Sequence, residues 1–142
     1  MGQAREVMDR YTEAVTKSDL TTVADCFAED AVAYTPDHGE IHGRENIVAY
    51  FREMTDALPA AEFDPLFKYE IDDTAIDEGF FSGKNTGPLT LPTGETLPAT
   101  QREVRLRGCD LATVRDGRIV SYRLYFDQME FLEQVGLLPE EA

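Results

Sequence analysis

The sequence predicts an α+β fold, with N-terminal helices packed on one face of a curved antiparallel sheet, and three observations predict it. Residues 5 to 57 carry apolar side chains at a period near 3.6, residues 62 to 126 switch to a period of 2, and a short helical pattern closes the chain. Helices first and strands afterwards are the order of an α+β domain. Where such a sheet curves strongly, it and the helices leave a cone between them, which side chains or a ligand must fill. The 142 residues fit one domain spanning 1–142, with no internal repeat. A chain of this length buries enough surface to need no staples.

Each element has its own signal. Val7, Met8, Tyr11, Ala14 and Val15 fall on one face of a helix over 5–17. Asp19 can cap a second helix, whose inner face carries Leu20, Val23, Ala24 and Phe27 and which ends near Glu29-Asp30. Ala31 to Thr35 reads as a short strand, and Pro36-Asp37-His38-Gly39 as a turn. A third helix runs from Arg44 to Ala57 with Ile47, Tyr50, Phe51 and Met54 inward, and Pro59 stops it. Strands follow over Glu62 to Ile71 and Thr74 to Ser82, separated by Asp72-Asp73. Gly83 to Pro98, rich in Gly, Pro and Thr, reads as an exposed loop or a β-arm, long enough to suggest function or a dimer contact. Glu103 to Arg115 and Arg118 to Phe126 flank Asp116-Gly117, a strong hairpin signal. Gln128 to Val135 is a last helix, ended by Gly136.

Composition excludes several classes. The balance of 42% hydrophobic and 29% charged residues is that of a globular chain. A net charge of −15 opposes nucleic-acid phosphates and anionic membrane surfaces, so neither is an expected partner. No apolar run is long enough to span a membrane and the N-terminal residues lack the apolar stretch of a leader, so the expected compartment is the cytoplasm. Cys26 and Cys109 sit in apolar patterns without a CxxC pair and read as buried free thiols. His38 and His42, with Asp37 and Glu40 near them, lie in a loop that lacks the helical face needed to align two imidazoles, so no metal is expected. Six arginines between Arg102 and Arg123 against three acids read as cross-strand surface pairs, or as an anion-tolerant rim or dimer contact.

Four segments line up with a known family: Tyr11-Thr12-Glu13-Ala14 through Asp19-Leu20 to Phe27-Ala28-Glu29-Asp30-Ala31-Val32; His42-Gly43-Arg44-Glu45; Gly83-Lys84-Asn85-Thr86-Gly87-Pro88; and Arg115-Asp116-Gly117-Arg118-Ile119-Val120 with Tyr125-Phe126-Asp127-Gln128 and Gln134-Val135-Gly136-Leu137. Together they resemble the SnoaL-like polyketide cyclases, or ester cyclase-like proteins, a branch of the nuclear transport factor 2 superfamily. The resemblance implies a cone-shaped sheet around a long helix, a deep pocket for a small apolar or aromatic ligand, a homodimer, and cofactor-free acid/base chemistry in the enzymatic members. It also implies a catalytic Asp on the last strand, three residues before the position of Asp127. Leu124 stands there, and Leu cannot transfer a proton.

Such chemistry needs a base beside a carbon acid and a donor near the developing oxyanion. Asp110 is the one charge on the face formed by Val104, Leu106, Gly108, Asp110, Ala112 and Val114. It reads either as a buried carboxylate satisfied by backbone or Arg, or as the pocket acid. Asp127 reads as a helix cap or as a second pocket acid. Tyr11, Tyr34, His42, Tyr122, Leu124 and Phe126 are the expected pocket wall, and Val120 belongs to the same apolar alternation. Ketosteroid isomerases, which resemble the first helix at Tyr11, would need their base near Thr35; Asp37 lies two residues on and faces the same side only if the strand continues. Epoxide hydrolases of the superfamily need Arg-x-Asp, which the sequence lacks. Three functions follow: an acid/base enzyme, a non-catalytic module binding an apolar ligand, and an interaction scaffold.

Overall fold

The computed structural model describes residues 2–137. Its elements are α1 (Gln3–Thr16), α2 (Leu20–Cys26), β1 (Phe27–Thr35), β2 (Gly39–His42), α3 (Arg44–Ala57), β3 (Glu62–Ile71), β4 (Thr74–Lys84), β5 (Leu89–Thr90), β6 (Thr96–Leu97), β7 (Glu103–Arg115), β8 (Arg118–Phe126) and α4 (Gln128–Gln134). Six strands form one curved sheet in the order β2-β1-β8-β7-β4-β3, packed on the helices. Every pairing in it is antiparallel except β1 with β8. The parallel pair is a long crossover, with β2, α3 and β3 to β7 lying in the chain between β1 and β8.

Local chemistry sets the boundaries. Asp19 accepts from Thr22 N at 3.2 Å and caps α2. The two-residue turn Asp116-Gly117 has φ of 52° and 78°, the left-handed pair of a type I′ hairpin. Gly136 ends α4 at φ 78°, with Gly136 N donating to Glu133 O and Leu137 N to Leu132 O, a Schellman stop. The carboxylate of Glu70 on β3 receives Gly2 N and Arg5 N, both at 2.8 Å, and so satisfies the amino end of α1 from a distant strand.

Three expectations need correction. The second helix stops at Cys26, and Phe27 to Asp30 are already strand; the ring of Phe27 is buried all the same, against Tyr11 and Tyr122. Gly39 to His42 form a strand that hairpins back on β1, with a turn at Pro36-Asp37-His38 and Gly39 at φ 69°. The β7–β8 register skips Val120, since Thr113 pairs Ser121 and Val114 pairs Ile119. That bulge turns Ile119 inward in place of Val120.

The 83–98 segment folds back on the body. Asn85, fully buried, donates to Ala57 O and Gly87 O and accepts from Thr100 N and Oγ1, which ties both ends of the segment together. Its tip is the β5–β6 hairpin, and Leu89 is buried rather than exposed. Two apolar clusters result. The larger joins α1, α2 and α3 to the sheet around Met8, Phe27, Phe51 and Tyr122, and the smaller joins Leu58, Leu89, Val104 and Val135.

Candidate functional site

Between these clusters lies a cavity of about 170 Å³, slightly more than the ~150 Å³ of an apolar cavity that accepts benzene. Its wall is mostly aromatic and aliphatic, with Phe51, Met54, Leu58, Phe63, Phe81, Leu106, Leu124, Phe126 and Phe131. Two polar groups interrupt it.

The first is a chain of hydroxyls. Tyr11 on α1 donates to Tyr122 Oη on β8 at 3.0 Å, and Tyr122 donates to Asp110 Oδ2 on β7 at 2.8 Å. The rings are fixed by edge contacts: Tyr11 lies 5.6 Å from Phe27 and 5.4 Å from Phe51 between centroids. Burial pushes the Asp110 carboxyl up to about 7, the Tyr122 hydroxyl and Arg5 opposing the rise and Asp77 adding to it. Burial, with the Asp110 charge beside it, likewise holds the Tyr122 and Tyr11 hydroxyls well above their ordinary value, so both remain donors.

The second group comes from the β1–β2 turn and α3. Tyr50 Oη donates to Asp37 at 3.1 Å. His38 lies 3.5 Å from Asp37 through Nδ1 and 3.9 Å from Glu53 through Nε2, with its ring edge-on to Tyr50 at 5.0 Å. All four residues line the cavity. Burial and the Asp37 charge keep the Tyr50 phenol protonated. Among the described residues no cluster of three or more His, Cys, Asp or Glu side chains could hold a metal.

Of the residues singled out in the sequence, Asp110, Tyr11, Tyr122, Leu124 and Phe126 line the cavity together. Three do not. Asp127 is exposed and caps α4, accepting from Glu130 N at 3.1 Å. Asp127→Ala is expected to cost about 1 kcal/mol of stability, as lost caps do, with the midpoint of urea unfolding as the readout and the cavity unaffected. Tyr34 is turned to the outer face against Tyr125, because Ala31, Ala33 and Thr35 take the inward positions of β1. His42 is exposed on β2 and meets only Glu40, at 3.2 Å. Cys26 is buried as expected, while Cys109 is half-buried.

The sequence reading missed the Asp37, His38, Tyr50 and Glu53 group. One signal was available, since Tyr50 and Glu53 are three apart on one helix and so share a face. It also missed Asp77, buried at 1% exposure in an ion pair with Arg5 at 2.6 Å. Asp110 stands between Asp77 on β4 and Leu124 on β8, paired with each across the sheet.

A sequence profile described as the SnoaL-like domain matches residues 8–122. Several solved structures share the fold. A candidate SnoaL-like polyketide cyclase from Jannaschia sp. CCS1 superposes with a TM-score of 0.83 at 16% identity, covering 96% of this chain and 94% of that one. A candidate polyketide cyclase from Xanthomonas campestris pv. campestris gives 0.80 at 22% identity, over 94% and 97%. IdmH, a candidate polyketide cyclase from Streptomyces antibioticus, gives 0.75 at 23% identity, over 95% and 99%. No curated protein matches the chain.

Proposed function

The chain belongs to the SnoaL-like domain family, and from that premise we propose that it is a cofactor-free acid/base catalyst acting as a single domain on a small, largely apolar carbonyl compound. The reaction is proton abstraction next to a carbonyl, leading to isomerisation or intramolecular aldol closure of a cyclic or polyketide-like substrate. One observation carries the proposal: Asp110, held near neutrality in an apolar cavity, is paired across the sheet with Leu124, where the family resemblance would have put the acid. The carboxylate is thus one strand removed from the expected place and faces the same cavity.

In this reading Asp110 is the base. Tyr122 occupies Oδ2, which leaves Oδ1 for the substrate's carbon acid. A carboxylate with a value near 7 is a far stronger base than one at about 4 and is still half ionised at neutral pH. The Tyr11–Tyr122 chain steadies the charge once Asp110 is ionised. His38, oriented through Nδ1 by Asp37, presents Nε2–H as the hydrogen bond to the developing oxyanion from the other polar wall, since Glu53 at 3.9 Å lies beyond hydrogen-bond range of that nitrogen. The aromatic lining limits water at the reacting carbon. Exchange of α-hydrogens into D₂O, followed by NMR on a panel of cyclic ketones and 1,3-diketones, tests the reading without requiring the natural product. The enzyme is expected to accelerate exchange for at least one compound that fits the cavity, with a rate rising through about pH 7 as Asp110 ionises. Binding without exchange across the panel would oppose it.

A second copy of the chain is the protein partner we propose. Tyr34, Phe67, Tyr69, Ile71 and Tyr125 are exposed on the sheet face turned away from the helices, and exposed apolar groups of this kind mark interaction surfaces. Light scattering should give a dimer, and the double variant Tyr69→Asp with Ile71→Asp a monomer. A monomeric parent protein would contradict this. No helix of the described residues is long and apolar enough to cross a membrane. The cytoplasm is the compartment we propose, and two free cysteines suit its reducing conditions.

A further inference from the structure

Behind the cavity wall lies an ion pair that the proposed chemistry does not itself use. Arg5, on the first turn of α1, is 8% exposed, and Asp77 on β4 is 1% exposed. The guanidinium is fully engaged: Nη2 meets Asp77 Oδ1 at 2.6 Å, Nε donates to Asp9 Oδ1 at 3.1 Å, and Nη1 donates to Tyr69 O at 3.2 Å. Its own backbone N–H is held by Glu70. Burying two charges is costly, and a pair of apolar residues of similar volume would often serve stability as well. The position of the pair gives it a use. Asp77 and Asp110 are direct partners in the β4–β7 ladder, so their side chains leave the same face as neighbours, at a Cβ separation of about 5 Å.

We propose that Arg5 and Asp77 are positioning residues for the acid/base chemistry: their opposite charges, locked together beside Asp110, cancel at its carboxyl, so that removing either one shifts the titration of Asp110 in the opposite sense to removing the other. The inference rests on the reading of Asp110 as the cavity base. The groups facing Asp110 are few. From α1 come Arg5 and the Tyr11 hydroxyl, from β4 Asp77, and from β8 Tyr122. Lys68 of β3 and Asp9 of α1 act one step further out, through Asp77 and Arg5. Burial alone would carry Asp110 upward. An unbalanced Asp77 charge would carry it further, locking it protonated, whereas an unbalanced Arg5 would hold it ionised as a weak base. The intact pair leaves burial in control.

The test is a titration of the Asp110 carboxyl by ¹³C NMR in protein labelled at aspartate, from pH 4 to 9, in the parent and four variants. Asp77→Asn leaves Arg5 with only the half-exposed Asp9 as counter-charge and should lower the midpoint by about one unit; Arg5→Met leaves Asp77 with only Lys68, one step further out, and should raise it by a similar amount. Arg5→Lys keeps the charge and should hold the midpoint near the parent value. The double variant Arg5→Met with Asp77→Asn should also return there, above Asp77→Asn alone. That last comparison stands even if Arg5→Met does not fold. Midpoints that move in the same direction in both single variants, or a double variant that titrates with Asp77→Asn, would overturn the inference. A parent midpoint near 7 that ignores every variant defeats the ion-pair role and spares the base; a parent midpoint near 4 defeats the base itself.

Discussion

Asp110→Asn is expected to lose exchange activity by about 10²–10⁴-fold, the usual contribution of a positioned general base, while gaining stability at neutral and alkaline pH. The gain follows from linkage. In the folded chain the Asp110 carboxyl is raised to about 7, against about 3.9 when unfolded. Between those values the folded state holds a proton that the unfolded state has released, so stability falls as pH rises from about 4 to about 7. By pH 8 the burden of the ionised carboxylate is on the order of 4 kcal/mol. Asn carries none of it and can still accept the Tyr122 hydroxyl bond. Urea unfolding should therefore show the variant ahead of the parent at pH 8 and level with it near pH 4. A structural carboxylate would behave the other way, its removal costing stability at pH 8.

Phe51→Ala is expected to cost about 3–5 kcal/mol, the range for emptying a buried aromatic site. Phe51 is 1% exposed, and its ring lies between 5.3 and 6.2 Å from Tyr11, Tyr50, Tyr122 and Phe27. The contacts with Tyr11, Tyr50 and Tyr122 are edge contacts as well as buried area, so little around the hole can slide in to fill it. A domain of this kind has ~5–15 kcal/mol in total, and the loss should be plain in the urea midpoint. The same ring braces Tyr11 and Tyr122, which carry the hydrogen-bond chain to Asp110. Exchange activity should fall even where the variant remains folded.

Much of the fold was legible because its signals are local. The Asp116-Gly117 turn, the Asp19 cap and the Gly136 stop each depend on a few adjacent residues, and all three stand where the sequence put them. Tyr11, Asp110, Tyr122, Leu124 and Phe126 were legible for the same reason, since period alone assigns them to inner faces. What could not be read depends on register. The bulge at Val120 exchanges Val120 for Ile119 without altering composition. Asp77 and Glu78 are neighbours on one strand, and only pairing with β7 decides that Asp77 goes inward while Glu78 goes outward to Arg107. Tyr34 was misplaced because an aromatic strand residue suggests a core, whereas β1 turns two alanines and a threonine inward. In the group of Asp37, His38, Tyr50 and Glu53, helical spacing puts Tyr50 and Glu53 on one face, but no spacing rule brings the turn residues Asp37 and His38 to them before the chain is folded.

The proposed chemistry rests on the state of one carboxyl. A ¹³C titration of the Asp110 side chain in the unmodified protein, assigned by its disappearance in Asp110→Asn, measures that state directly. A midpoint near 7 is expected. A midpoint near 4, the ordinary value for a solvated aspartate, would mean that the cavity does not hold back its charge, and the proposed base would be lost with it.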